Sequence, residues 1–320
     1  MKHVTILITH QALIAAIGNA SHLFYMVNTF LKESGKAPKF NVRLVGLQNE
    51  MKLNDGTFTI QADTTTSELE KTDLIIIPPM TGEMEKCIQL NEPYLPWINK
   101  QFKQGAEVAS LCVGSFLLAE TGLLNGAECS THWQSSNEFR MRFPGVQLVD
   151  EKIITDHNGL YTSGGANSYW NLLIYLIEKY TDKEMAVRTS KYFEIERNRD
   201  SQSLFTIFEG CKLHDDDAVR AAQAHIEKCF GEKIILDQLA DLVHVSRRTF
   251  QRRFRKATHF TVKEYIQRIR IEAAKKLLEE NKFTINEIMY QSGYNDAKAF
   301  RYVFNKVSGV SPLTYRRKFR

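Results

Sequence analysis

The sequence lacks any stretch of about 18 uninterrupted apolar residues, so no segment reads as a membrane-spanning helix. Its five cysteines, Cys87, Cys112, Cys129, Cys211 and Cys229, are odd in number and include no C-x-x-C pair and no Cys/His grouping at zinc spacing. That excludes a disulfide framework and a structural zinc site, and leaves the expectation of reduced thiols in a cytoplasmic chain with no metal and no cofactor. Seven prolines and 17 glycines in 320 residues are too few for a collagen-like or low-complexity chain. The opening MKHVTILITHQALIAAIGNA imitates a secretory leader, but His10, Gln11 and Asn19 interrupt it, and 4–8 reads better as a buried first strand.

What is present is enough apolar residue, 43% of the chain, to fill more than one core, and two domains are expected. The net charge of +5 is unevenly placed. From Asp215 to Arg320 there are 22 basic against 13 acidic residues, a net of +9, which leaves −4 for residues 1–214. A basic module joined to a slightly acidic one points to a polyanion facing the C-terminal part alone.

In the first part, VTILI (4–8), NVRLVGL (41–47), DLIIIPP (73–79) and EVASLC (107–112) are nearly continuous apolar runs, as in strands buried on both faces. Helical patterns near 20–33, 93–104 and 114–121 separate them, so a parallel sheet covered by helices is expected. KIITD and GLYTS flank His157-Asn158-Gly159, the mark of a hairpin. Helices are expected over 166–180 and 183–193. The polar run ERNRDSQS then suggests a domain over 1–194, a linker over 195–214 and a second domain over 215–320, with Asp215 to Asp217 at a helix start.

The second part is helical throughout and repeats itself. Leu239 recurs as Ile288, and Phe250 and Phe254 recur as Phe300 and Phe304, at offsets of 49 and 50. Each copy reads as a short helix (236–243; 285–291), a turn and a second helix (246–256; 296–306) whose Phe pair at i, i+4 faces a core, which makes two helix-turn-helix units. Gly293 and His244 occupy the turns, and Thr284 with Glu287 forms a capping box. A connecting helix over 262–278 is expected to bury Val262, Ile266, Ile269, Ala273 and Leu277 along one stripe.

With Phe250 and Phe254 inside, Arg247, Arg248, Gln251, Arg252 and Arg255 face outward. The equivalent positions of the second copy are Ala297, Lys298, Arg301 and Tyr302. An α-helix fits the major groove, where Arg reads guanine, Gln reads adenine and other cations neutralise phosphates, and two such helices about 34 Å apart would enter successive grooves. A cationic helix face is more often merely solvated, but the duplication argues against chance. INEIMYQSGYNDAKAFRYVFNKVSGVSPLTYRRKF resembles the second helix-turn-helix of the AraC family of transcription regulators, and LADLVHVSRRTFQRRFRKATHFT resembles the first. The resemblance implies double-stranded promoter DNA as partner, with structural roles for Gly309, Pro312 and Tyr315, and RNA polymerase and a second copy of the chain as further partners.

In the first domain, a strand ends in Ser110-Leu111-Cys112-Val113-Gly114-Ser115 and a helix follows at once, the small-x-nucleophile-x-small elbow. A helix N-terminus can lower a thiol pKa, which would make Cys112 the most reactive of the five. His132 follows another expected strand. By residues alone, a cysteine so placed is more often a small packed hydrophobe. Thr81 and Gly82 could offer backbone amides to a carboxylate, or form a plain turn, and Tyr169-Trp170 reads as core rather than a ligand cage. The elbow, G-L-L-x-G at Gly122 to Gly126, T-H-W at Thr131 to Trp133 and S-G-G at Ser163 to Gly165 resemble the PfpI-like branch of the class I glutamine amidotransferase-like superfamily. The resemblance implies an α/β parallel-sheet sandwich followed by an all-α domain, and makes Cys112 and His132 the catalytic pair if the domain is active. Many such proteins carry an acid after the first strand, where Ala15 or Ala16 stands here, and Asn171 replaces another. The expectation is therefore a non-catalytic sensor that holds a small nitrogen-containing or carboxylate metabolite near Cys112, Val113, His132, Thr81 and Gly82. An active cysteine amidohydrolase and a Cys112 redox sensor are the rivals.

Overall fold

The apolar runs of the first part become adjacent strands of one sheet in the computed structural model, which describes residues 1–197 and 201–320. The chain divides into two compact units, Met1–Gln202 and Ser203–Arg320. The first runs β1 (Lys2–Leu7), α1 (Ile14–Glu33), β2 (Phe40–Gly46), β3 (Glu50–Leu53), β4 (Phe58–Gln61), β5 (Thr64–Thr65), β6 (Leu74–Ile77), α2 (Met84–Asn91), α3 (Tyr94–Lys103), β7 (Glu107–Ser110) and α4 (Ser115–Glu120). It continues through β8 (Glu128–Cys129), α5 (Ser136–Arg142), β9 (Gln147–Leu148), β10 (Ile154–His157), β11 (Leu160–Ser163), α6 (Ser168–Tyr180) and α7 (Lys183–Tyr192).

The sheet order is β10-β11-β7-β6-β1-β2-β5, parallel except for β10, which runs antiparallel to β11. Successive residues of β6 serve opposite cores. Leu74 and Ile76 pack with Phe24, Leu173 and Ile177 on one face, while Ile75 and Ile77 pack with Tyr94, Phe116 and Leu118 on the other. This α/β sandwich matches the expectation. The β10–β11 turn takes the Asn-Gly form, with φ of 49° at Asn158 and 83° at Gly159. The small β3–β4 hairpin was not anticipated, although Asn54-Asp55-Gly56 in its turn carries the signal. At the start of β7, Glu107 accepts hydrogen bonds from Tyr161 (2.5 Å), Tyr180 (2.6 Å) and Lys2 (3.0 Å), which ties β1, β11 and α6 to that strand.

The second unit is all α: α8 (Asp217–Cys229), α9 (Leu236–Leu242), α10 (Arg247–Thr258), α11 (Val262–Glu280), α12 (Ile285–Gln291), α13 (Ala297–Ser308) and α14 (Pro312–Phe319). Asp216 caps α8, as the acidic run suggested. The repeat extends further than Leu239, Phe250 and Phe254 indicated. His259 and Gly309 both end a recognition helix in the left-handed region, Thr261 and Ser311 both cap the next helix, and Tyr265 and Tyr315 are both buried. Each tyrosine donates to a glutamate on the helix that precedes its copy, Tyr265 to Glu227 on α8 (2.9 Å) and Tyr315 to Glu279 on α11 (2.7 Å). The repeating body is thus three-helical at an offset of 50, α9–α11 and then α12–α14, and α11 closes the first copy while packing against the second.

That double duty corrects the expected stripe on α11. The fully buried residues are Val262, Tyr265, Ile271, Glu272, Ala274, Lys275 and Leu278, whereas Ile266, Ile269, Ala273 and Leu277 are half-buried at the flanks. A helix packed on two cores buries more than one stripe. Glu272 and Lys275 form a buried ion pair at 2.7 Å, and the ammonium also donates to the Thr206 carbonyl. The unit boundary falls inside 195–214, a stretch that is largely packed where described: Gln202, Leu204 and Cys211 are buried, and Phe208 meets Tyr265 edge to face. Residues 198–200 of the expected linker lie outside the described residues. Among the described residues no helix is long and apolar enough to cross a membrane.

Candidate functional site

The second unit presents two recognition-type helices. On α10, Ser246 caps the N-terminus by accepting from Thr249, and Phe250 and Phe254 are buried. The five residues expected to face outward, Arg247, Arg248, Gln251, Arg252 and Arg255, are exposed. Arg253, between them, turns inward to the Asp216 carboxylate with Nε at 2.8 Å and a terminal nitrogen at 2.6 Å, so its charge fixes α10 against the start of α8. That hydrogen-bonded pairing holds the Asp216 carboxyl below its ordinary range. On α13, Asp296 caps the helix, Phe300 and Phe304 are inside, and Lys298, Arg301 and Tyr302 are exposed. The turns carry positive φ in both copies, 55° at His244 and 82° at Gly293. A Cβ on Gly293 would lie 2.7 Å from the Phe230 carbonyl, which no rotamer change relieves.

In the first unit, β7 ends at Ser110 and the chain turns at Cys112 with φ +55°, rare for a residue bearing a side chain. The elbow is therefore real, and strained. Its thiol is buried, and burial pushes its pKa up to about 11, although the Val113 and Ala166 amides pull the other way. The expected activation of Cys112 by a helix N-terminus is thus overturned, because a thiolate there would lose more hydration than two amides return. The Cys112 amide donates to Ser163 Oγ at 3.0 Å. Ala16, near the place of the family's acid, is fully buried, and no carboxylate is among the groups that move the thiol.

His132 lies across the 163–166 turn from the elbow. Its Nδ1 accepts the Gln134 amide at 3.1 Å, which leaves Nε2 to carry the proton of the neutral ring, and burial lowers its pKa. Its ring packs against Gly165, where a Cβ would sit 2.9 Å from Cδ2. The turn brings the two residues to one region, since the Ala166 amide reaches the thiol and Gly165 meets the imidazole. Val113 is buried beside the elbow. Thr81 is otherwise engaged: its amide (2.8 Å) and its hydroxyl (3.2 Å) both donate to the Gln11 carbonyl, so it offers no backbone donor to a ligand. Gly82 follows with φ +104°. Tyr169 is buried, accepts from Asn19 at 2.7 Å and stacks on half-buried Trp170, as expected of core. Among the described residues no cluster of three or more His, Cys, Asp or Glu is placed to hold a metal ion.

One residue at this site escaped the sequence reading. Gln202 is buried, with its side-chain oxygen accepting the Gly165 amide (2.7 Å) and its nitrogen donating to the carbonyls of Thr131 (3.0 Å) and Asp150 (2.6 Å).

A model of the DJ-1/PfpI family matches residues 8–179, more than half of the sequence. The chain belongs to the DJ-1/PfpI family. In this DJ-1/PfpI protein a helix-turn-helix domain model also matches, over residues 239–318. The HTH-type transcriptional regulator GbdR of Pseudomonas aeruginosa is 26% identical over 258 residues, covering 80% of this chain and 69% of that protein. The HTH-type transcriptional regulator GlxA of Rhizobium meliloti is 22% identical over 67% of this chain and 66% of its own length. The structure of an AraC family transcriptional regulator from Pseudomonas putida superimposes with a TM-score of 0.52 at 16% identity, over 60% of this chain and all of that one, a likeness of fold. The chain is a DNA-binding transcription regulator that carries a DJ-1/PfpI domain and a helix-turn-helix domain, and both GbdR and GlxA are named as HTH-type transcriptional regulators.

Proposed function

We propose that this regulator reads an asymmetric promoter site with α10 and α13 and that its first unit senses a small metabolite beside the Cys112 elbow. The duplicated three-helix body carries the proposal. Two helices with the same caps, the same buried Phe pair and exposed polar outer faces are what two successive major grooves require. Arg247, Arg248, Gln251, Arg252 and Arg255 on α10, with Lys298, Arg301 and Tyr302 on α13, are the contacts proposed. The metabolite is held near Cys112, Val113, His132 and Gly82, with the cysteine as a packed wall; its raised pKa and the unaided histidine speak against a nucleophile. Dimerisation, contact with RNA polymerase and a cytoplasmic site of action complete the proposal on family grounds.

Sequencing of genomic fragments retained by the purified chain tests the DNA half, and the neighbouring genes would nominate the metabolite. Cys112→Ala tests the sensor half: altered ligand response with intact DNA retention is expected, and indifference of both ligand affinity and regulation would move the pocket elsewhere.

A further inference from the structure

The slot that holds Gln202 has the chemistry of a receptor. It presents one N–H donor, on Gly165, and two carbonyl acceptors, on Thr131 and Asp150, to a group that must answer with one oxygen and two N–H bonds. A primary carboxamide alone among side chains does this in one plane. The slot is also shaped to it. A Cβ on Gly164 would meet the Gln202 carboxamide at 2.8 Å, and one on Gly165 would meet its oxygen at 3.2 Å and the His132 ring at 2.9 Å, so the walls are glycine where the amide lies. Thr131 adjoins His132, and Gly165 adjoins Ala166, whose amide reaches the Cys112 thiol. The slot therefore borders the elbow region.

The position of Gln202 in the chain gives this a consequence. It is the last residue of the first unit, and its own amide is fixed on the Glu151 carbonyl at 2.9 Å. The residues directly after it belong to the second unit: Leu204 joins the core of Phe300, Val303 and Phe304 on α13, and the Thr206 carbonyl accepts from buried Lys275. One residue, Ser203, separates a side chain lodged in the sensor unit from one lodged against a recognition helix.

We infer that Gln202 is an internal ligand, and that a small molecule bearing a primary carboxamide, by taking its slot, frees the chain where it passes into the DNA-binding unit. The inference rests on the reading of the first unit as a sensor and names the chemical class it senses. Buried polar groups that lose their partners cost far more than the same groups exchanged between equivalent partners, so a competing amide can replace Gln202 where a carboxylate cannot. A carboxylate would set its negative oxygens against the Thr131 and Asp150 carbonyls.

The test uses the full-length chain, with propionamide, which copies the Gln202 side chain, and propionate as the isosteric control. Gln202→Ala empties the slot and is expected to bind propionamide about tenfold or more tighter than propionate in a calorimetric titration, and tighter than the wild-type chain does. In the wild type, saturating propionamide is expected to speed hydrogen exchange at the Gln202 amide and propionate to leave it unchanged. A folded Gln202→Ala chain that binds neither probe, or both alike, overturns the inference. If that variant does not fold, the exchange experiment decides, and equal exchange with either probe overturns it. DNA retention is measured alongside: retention that persists while amide selectivity fails removes this inference and leaves the regulator reading standing.

Discussion

Cys112 and Glu107 show how opposite balances of the same forces set a residue's behaviour. Burial raises the Cys112 pKa to about 11, with only two amides opposing it. At neutral pH its thiolate is scarce, and iodoacetamide at pH 7.5 should leave Cys112 unlabelled in the native chain while labelling it after denaturation; rapid native labelling would restore the nucleophile reading. Below the unfolded thiol's pKa this group favours the folded state fully, and that contribution fades as pH rises toward 11. Glu107 is also pushed up by burial, but hydrogen bonds from Tyr161, Tyr180 and Lys2 outweigh it and leave its pKa near about 2. A depressed carboxyl stabilises above its unfolded value of about 4.5 and loses that contribution as pH falls toward 2. Glu107→Gln should cost about 2 kcal/mol at neutral pH and flatten the acid limb of the melting temperature between pH 4.5 and 2.5, measured by calorimetry; an unchanged limb would show that the network contributes nothing. None of this was legible beforehand. Glu107 looks like any acid at the start of a strand, and Gln202 sits in a polar run with no periodicity, because their partners lie far off in the sequence, from 37 residues for Gln202 and Gly165 to 105 for Glu107 and Lys2.

At the scale of elements, local patterns were legible wherever geometry is decided locally. Asn158-Gly159 demands a tight hairpin, Thr284 and Glu287 close the capping box, and the Phe250–Phe254 spacing fixes the inner face of α10. Reading failed on α11, where two cores meet one helix and a buried Glu272–Lys275 pair looks from sequence like an ordinary solvated i, i+3 pair. The two turns of the repeat supply a direct comparison. His244 bears a side chain at φ +55°, a strained setting, and is exposed, so His244→Gly should hold or raise stability by up to about 1 kcal/mol. Gly293→Ala, at φ +82° with the Phe230 carbonyl in the way, should lose more than that. Urea denaturation of both variants checks the pair, and equal effects would refute the strain argument.

For the molecule as a whole, the uneven charge is the property that was legible first and explained last. The C-terminal net of +9 falls largely on outer helix faces, and Arg253, the arginine of α10 bonded to an acid at the start of α8, is absent from the proposed contacts. A metabolite can alter DNA occupancy only by favouring one arrangement of the regulator over another. That requirement is why the chain's passage from one unit to the next matters. Among the outer residues, Arg252→Ala should weaken binding by about 1 to 3 kcal/mol at one base position if it reads an edge; a phosphate contact would weaken all sequences alike and lower the salt slope by about 1. The most direct measurement is the affinity of the full-length chain for its best genomic fragment against a random duplex of equal length, at about 0.15 M salt. The duplicated unit predicts a preference of about a thousandfold or more, reduced by changes on either α10 or α13. Equal affinity for both duplexes would contradict it.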